Sequence, residues 1–421
     1  MVISIFIAVC AASAQTDGTY VGYSPYSVYG IGNLHAGGPA WSRSMGGIGI
    51  ATRNKRVVNT ANPASVTARD SLSFMSDFSL SGKFSLYKEG DKLGYCPTFN
   101  LENFVISFPM WKHTALMVGL APFSDVGYSI SASEVDYYSL QRTFSTAGNG
   151  GMNQVFAGAG ATLWNRLSLG VEGLFYFGSI NKTSATENSD DSFLDFNAGD
   201  SLQVHSFGVK FGLQYEQPLS TGKYLTLGGT YRLSTPILGH RISYSEVGSY
   251  FREREENAIA DDGIRMGDEI GVGLSFRSSD TWTVEIDYTR SSWLNSGFEK
   301  VSGFSNNGES ANFKSDIGQT FRAGFELTPN RNDIRYFMRR CTYRAGAYFD
   351  QSYYTVNDRH VNTVGVTLGM TIPVFRWYNG VTFGLDMGRR GLSGSQLSET
   401  FAGFFVSLNM FDIWFQKPRY Q

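Results

Sequence analysis

Cysteine is almost missing from this chain: three in 421 residues, at positions 10, 96 and 341. The five histidines, 35, 113, 205, 240 and 360, are equally scattered. Neither set has the spacing of a Cys/His metal array, so no metal is expected. Charge is scarce too, at 17% of residues, and the net charge of -2 gives no reason to expect a nucleic-acid partner. No apolar run approaches the roughly 18 residues that a membrane helix needs. G-x-S-x-G, H-E-x-x-H and the phosphate-binding G-x-x-x-x-G-K are all absent. His205 beside Ser206 is mere adjacency, because neighbours on a strand face opposite ways. The chain is therefore read as no enzyme, and no cofactor is expected.

Small and aromatic residues are abundant instead: 48 Gly, 23 Tyr and 32 Phe. The mean hydropathy of -0.18 would suit a soluble protein. A transmembrane barrel gives the same average, because its lumen-facing residues cancel its lipid-facing ones. At the start, Val2 to Ala12 is short and apolar, and Ala12-Ser13-Ala14 has the pattern of a signal cleavage site. Residues 1–14 are expected to be a secretory signal. A lipoprotein anchor at Cys10 is the weaker reading, since Val9 is a poor residue before a lipidated cysteine.

The chain is organised around Arg43-Ser-Met-Gly-Gly-Ile-Gly-Ile-Ala51 and Asn59-Thr-Ala-Asn-Pro-Ala-Ser65. The glycines permit tight turns and Asn62-Pro63 favours turn initiation. Residues 15–70 could not bury a core alone, so they are expected to form a plug, with the chain beyond as the wall around it.

From about residue 71 the period becomes two. Val364, Val366, Leu368, Met370 and Ile372 alternate with Thr363, Gly365, Thr367, Gly369 and Thr371. Phe207 to Tyr215, Trp282 to Tyr288, Phe321 to Leu327, Val381 to Met387 and Ala402 to Met410 repeat the pattern. A strand puts such residues on one face, whereas a helix would spread them around its axis. About fourteen such segments span residues 71–413, most of them long enough to cross a bilayer. The fold class is thus all-β, a transmembrane antiparallel barrel of about 14 strands with the plug in its lumen. Residues 414–421 are expected to be a periplasmic tail.

Connections after odd strands read as long (132–149, 183–201, 236–267, 292–316), and those after even strands as mostly short. A barrel with short periplasmic turns and long extracellular loops gives that asymmetry. Trp111, Trp164, Trp282 and Trp377 sit beside short turns and Trp414 follows the last strand, which reads as a belt of interfacial rings at one membrane face.

The run Met45, Gly46, Gly47, Gly49 followed by Asn62, Pro63, Ala64 resembles the N-terminal hatch of the FadL-like outer-membrane transport family, in which an Asn-Pro-Ala element precedes the first of fourteen strands. Ser24-Pro-Tyr-Ser and Asp412 to Tyr420 resemble the Bacteroidota versions of that group. The resemblance implies an outer-membrane barrel blocked by its hatch, taking up a hydrophobic small molecule by hatch rearrangement and diffusion. It implies equally an alternative: a barrel subunit of an outer-membrane protein secretion or assembly complex. The partners expected are the lipid bilayer and either a fatty-acid-like ligand or the proteins of such a complex.

By the alternation, Glu172, Lys210, Glu285, Asp287, Arg322, Glu326, Arg344 and Asp386 point inward. They read as a polar lining that contacts the plug or a ligand head group, or as charges that pair with each other and water. Arg53, Lys55 and Arg56 form a basic knot that either pins the plug to wall carboxylates or faces solvent. The acidic groups around 187–195 and 253–262 lack the ligand spacing of a calcium loop and read as solvated. Cys96 is expected in the first outer loop and Cys341 at the opposite rim, too far apart for a disulfide.

Overall fold

The computed structural model describes residues 22–35, 37–69, 73–111, 113–135, 141–190, 193–248, 251–259, 263–279, 281–301, 312–374, 379–392 and 397–413. The expected signal at 1–14, the tail at 414–421, Trp377 and Trp414 lie outside the described residues.

Fourteen long strands make the wall. They are β1 Ser73–Glu89, β2 Lys92–Trp111, β3 Thr114–Val135, β4 Gln141–Leu163, β5 Leu167–Asn188, β6 Phe196–Ser220, β7 Lys223–Arg232, β8 Asp268–Ser278, β9 Trp282–Ser292, β10 Ile317–Leu327, β11 Thr342–Val356, β12 Arg359–Pro373, β13 Gly380–Leu392 and β14 Leu397–Ile413. Each pairs antiparallel with the next, and β14 returns to β1, from Ser73 opposite Ile413 to Glu89 opposite Leu397. Closure pairs every strand on both sides over at least part of its length, which a strand needs in lipid because nothing there replaces water as a hydrogen-bond partner.

The alternation decides which face meets lipid. On β12, Val364, Val366 and Leu368 are 55%, 55% and 53% exposed, while the intervening Thr363 and Thr367 are buried. Phe321, Phe383, Leu385, Leu408 and Met410 extend the apolar band around the wall. A band that size would drive a water-soluble protein to aggregate, but in hydrocarbon it is solvated.

The connections differ from the sequence expectation. Much of 132–149 and 183–201 is strand: β3 runs to Val135 and β4 begins at Gln141, β5 runs to Asn188 and β6 begins at Phe196. Two turns at this rim are tight, at 90–91 and at Asn357-Asp358, where both residues take left-handed φ values of 52° and 58°. Beyond the bilayer no lipid selects apolar side chains, so the period-two signal fades although the hydrogen-bond ladder continues. Cys96 accordingly lies on β2 opposite Ser85 rather than in a loop. Cys341 is buried just before β11, and both thiols are free.

The connections at 233–267 and 293–316 are long, and their described residues are folded. Gly239–Val247 pairs with β6 and with Phe251–Ala258, adding a hairpin to the wall. Ile237, Ile264, Met266, Trp293 and Phe298 turn into a buried core with Tyr26 and Ile31 of the N-terminal segment and Tyr353 and Tyr354 of β11. Trp293 lies 4.6 Å, ring to ring, from Tyr353. This cluster is buried inside the wall at the loop end.

Candidate functional site

Residues 22–68 thread the lumen, and the wall holds them with side chains drawn from almost every side. Helix Ala40–Arg43 buries Trp41, which packs with Met45 and Ile48 and donates its indole N–H to the Val58 carbonyl at 2.8 Å. The turn after it needs left-handed backbone at Gly46 (φ 75°) and Gly47 (φ 82°). Side chains there would also strike the Ala347 carbonyl of β11 and the Arg322 guanidinium of β10.

Two neighbouring inward carboxylates of β9 take the next turn of chain. Asp287 accepts the backbone N–H of Gly49 at 2.7 Å and of Ile50 at 2.9 Å. Glu285 accepts the N–H of Ala51 at 3.0 Å and the Thr52 hydroxyl. Arg322 donates to the Gly47 carbonyl at 2.9 Å and faces Asp350 at 3.5 Å. Arg53 donates to Ser168 of β5 at 2.7 Å and to Gln214 of β6, and Arg277 of β8 donates to the Arg53 carbonyl at 2.8 Å. Of the basic knot, Arg53 reaches a wall carboxylate, Glu216, at 4.0 Å, and the Arg56 carbonyl accepts from Asn409.

The Asn-Pro-Ala element is a cap and a rivet together. Asn62 accepts from the Ala64 N–H at 3.0 Å, capping the short 3-10 turn Pro63–Thr67. Its amide donates to the Ile50 carbonyl at 2.8 Å and to the Leu213 and Gly229 carbonyls of the wall at 3.2 and 3.3 Å. Pro63 supplies no N–H, so none is left without a partner where it is buried.

The other inward residues line two cavities, with Asp386 apart from both. Glu172, Lys210, Asp287 and Arg322 line a cavity of about 290 Å³, together with Arg232, Glu269, Asp350 and Arg390. Glu172 is buried, and one of its oxygens has no hydrogen-bond partner among the described residues, so a cavity this size with this lining suits water. Glu326 and Arg344 pair at 2.7 Å and face a second cavity of about 280 Å³ at the short-turn rim, where Trp41, Asn54 and Arg56 form its roof. Asp386 accepts the Tyr348 hydroxyl at 2.9 Å.

Among the irregular places in the wall, one opens the ladder between neighbouring strands. Strands β2 and β3 pair only from Trp111 opposite Thr114 to Phe104 opposite Leu120. Just beyond, β2 bulges between Leu101 and Asn103, which turns both Glu102 and Asn103 inward. There β3 takes the N-terminal segment as its neighbour: Asn33 sits opposite Asp125 and Leu34 opposite Ser124, with the His35 N–H on the Phe123 carbonyl at 2.9 Å. Arg43 closes the lower edge of the gap on Glu102 at 2.9 Å, and His35 faces Asp125 at 2.8 Å. Alternation alone could not place Glu102, because a bulge shifts the period by one. Glu399 was legible by its parity with inward Ser407 and Asn409. It is buried and receives Lys83 at 2.7 Å and the Ser24 hydroxyl at 2.9 Å.

At the short-turn rim, Trp111 and Trp164 are exposed, and Trp282 at the start of β9 is half-buried. Trp41 and Trp293 are buried inside.

The family model described as BamG matches residues 1–421. Among solved structures, the toluene transporter TbuX of Ralstonia pickettii has a TM-score of 0.57 at 15% identity, over 89% of this chain and 98% of its own. The Pseudomonas putida toluene transporter TodX gives 0.56 at 12% identity, over 91% and 100%. A FadL homologue of Pseudomonas aeruginosa gives 0.55 at 12%, over 94% and 100%. At these identities the likeness is one of fold: the chain is built as a FadL-type barrel. No curated protein matches it.

Proposed function

Because the chain belongs to the BamG family and is built as a FadL-type barrel, we propose that it is an outer-membrane barrel whose N-terminal segment is a fixed hatch, serving as a non-transporting subunit of an outer-membrane protein secretion or assembly complex. The observation that carries this reading is the bonding of residues 47–53 and 62 to β5 through β10 by buried charged and amide side chains. Hydrogen bonds to charged groups are the stronger kind, about 1.5–3 kcal/mol each. Several of them together make hatch movement costly. A hydrocarbon entering the lumen would also displace water from a cavity lined by eight charged residues. The folded outer loops support the same reading by packing inside the wall above. Partners would then meet the rims and the outer wall, with short turns periplasmic and long loops outside.

Affinity purification of the membrane-embedded chain in mild detergent tests this. Stoichiometric outer-membrane or periplasmic proteins are expected to co-purify. A chain that elutes alone, with lipid or detergent held inside its lumen, would overturn the subunit role.

The gap between β2 and β3 favours a second reading, passage of a hydrophobic small molecule sideways through the wall. That path needs Asn33 and Leu34 to leave β3. A cysteine pair, Leu34→Cys with Ser124→Cys, joins positions directly opposite in register. Oxidising it is expected to leave the chain's role in cells unchanged, and loss of that role on oxidation would instead favour passage.

A further inference from the structure

At the rim of otherwise short turns, the connection from β10 to β11 is the exception, running from Thr328 to Cys341. It carries four arginines (331, 335, 339 and 340) against one aspartate, Asp333. It also exposes apolar side chains: Ile334, Tyr336, Phe337 and Met338. Arg335 and Arg339 lie over the Tyr336 ring at 5.2 and 4.9 Å, and Arg340 over Phe337 at 5.0 Å. Exposed rings and methionine mixed with guanidinium groups are what a segment lying in a membrane interface presents.

The segment is held in shape. Asp333 accepts the backbone N–H groups of Tyr336 and Arg335, both at 2.8 Å. These bonds, with Tyr336 first, hold its carboxyl below the ordinary carboxylate range. Helix Phe337–Arg340 is tied to the outside of the wall, because the Tyr343 hydroxyl donates to the Met338 carbonyl at 3.0 Å.

Tyr343 is also the first side chain of an apolar groove that climbs the lipid-facing wall from this rim. Its volume is about 670 Å³. The register explains the depression. Ala345 stands between Phe325 of β10 and Leu368 of β12, so a small residue lies between two large ones. Phe383 and Phe404 form the far side. The bottom of the groove, at Leu327, is level with Trp282, directly opposite it on β9.

We propose that this groove and the arginine-bearing turn together bind one phospholipid with an anionic head group, its acyl chain against Ala345 and its phosphate on the exposed Arg335 and Arg339, whereas Arg340 lines the cavity inside the rim. A lipid has the same order of parts as the surface: a hydrocarbon tail where the wall faces hydrocarbon, and a negative charge at the height of the interface. An apolar protein segment would fit the groove but would not account for positive charge gathered at its foot. The assignment does not depend on the subunit reading, since either role leaves this wall in lipid.

The test is native mass spectrometry of the chain released from nanodiscs of mixed phosphatidylglycerol and phosphatidylcholine. The wild type is expected to keep one phosphatidylglycerol in preference to phosphatidylcholine. Reversing Arg335 and Arg339 to Glu is expected to lower that preference about tenfold or more. Ala345→Trp, which fills the groove and leaves the charges, is expected to lower retention of both lipids. Heat-modifiable gel migration checks that each variant is folded. Equal retention of the two lipids by the wild type, or retention unchanged in both variants, would overturn the site, as would a partner protein cross-linked at Ala345→Cys where the lipid should lie.

Discussion

Replacing Glu285 and Asp287 together by alanine is expected to free the N-terminal segment while leaving the barrel folded. Three backbone N–H groups, of Gly49, Ile50 and Ala51, and the Thr52 hydroxyl lose their acceptors at once. A buried donor left unsatisfied costs about 1–3 kcal/mol, so the four sum to roughly 4–12 kcal/mol against the segment's seat. The wall does not share that loss, because the β9 ladder to β8 and β10 uses main-chain groups alone. Two readouts separate these effects. Protease should cut between residues 47 and 53 in intact outer-membrane vesicles, and a planar bilayer should show ion conductance that the wild type lacks. Heat-modifiable migration should be kept. A variant that stays closed and resists protease would mean that the carboxylates are lining rather than anchors.

Filling the wall glycines beneath the segment is expected to act as strongly from the other side. A Cβ at Gly346 of β11 would overlap the Met45 carbonyl carbon and the Gly46 nitrogen, and one at Gly212 of β6 would overlap Asn62 Oδ1. In both places the obstacle is main chain or a side chain already committed to hydrogen bonds, so it cannot swing aside. Overpacking of this kind typically costs about 1–3 kcal/mol, and more where backbone must move. Gly346→Val and Gly212→Val should therefore assemble as barrels yet lose protection of residues 45–64. Gly229→Val is the control, since nothing lies within 4 Å of its added Cβ. If all three variants protect the segment equally, its close seating against β6 and β11 is wrong.

How much of this was legible in the sequence varies with physical cause. The fourteen strands could be read from β1 to β14 because lipid imposes one rule on every outward position and the pleat repeats it every second residue. The bounds at Asp268–Ser278 and Ile317 were as clear as any, since polar turns abut apolar alternation there. The same rule placed Glu285, Asp287, Arg322 and Arg344 on the inner face, yet it named no partners for them. Alternation fixes a side, whereas a bond needs two residues to meet across the ring. The rule stops at the membrane surface, which is why the strands beyond it read as loops. It also breaks at a bulge, which hid Glu102.

From the sequence alone came an outward apolar wall, an inward polar lining and a small, glycine-rich segment unable to fold without them. Local spacing decides these, because strand geometry turns residue order into direction with no knowledge of the rest of the molecule. Only the tertiary structure decided that Asp287 and Glu285 seize the turn after Gly47, that Asn33 and Leu34 stand in for β2 beside β3, and that a single long turn sets arginines at the foot of a groove. Each of these joins residues far apart in the chain. Their meeting depends on barrel closure and register, which no stretch of sequence carries by itself.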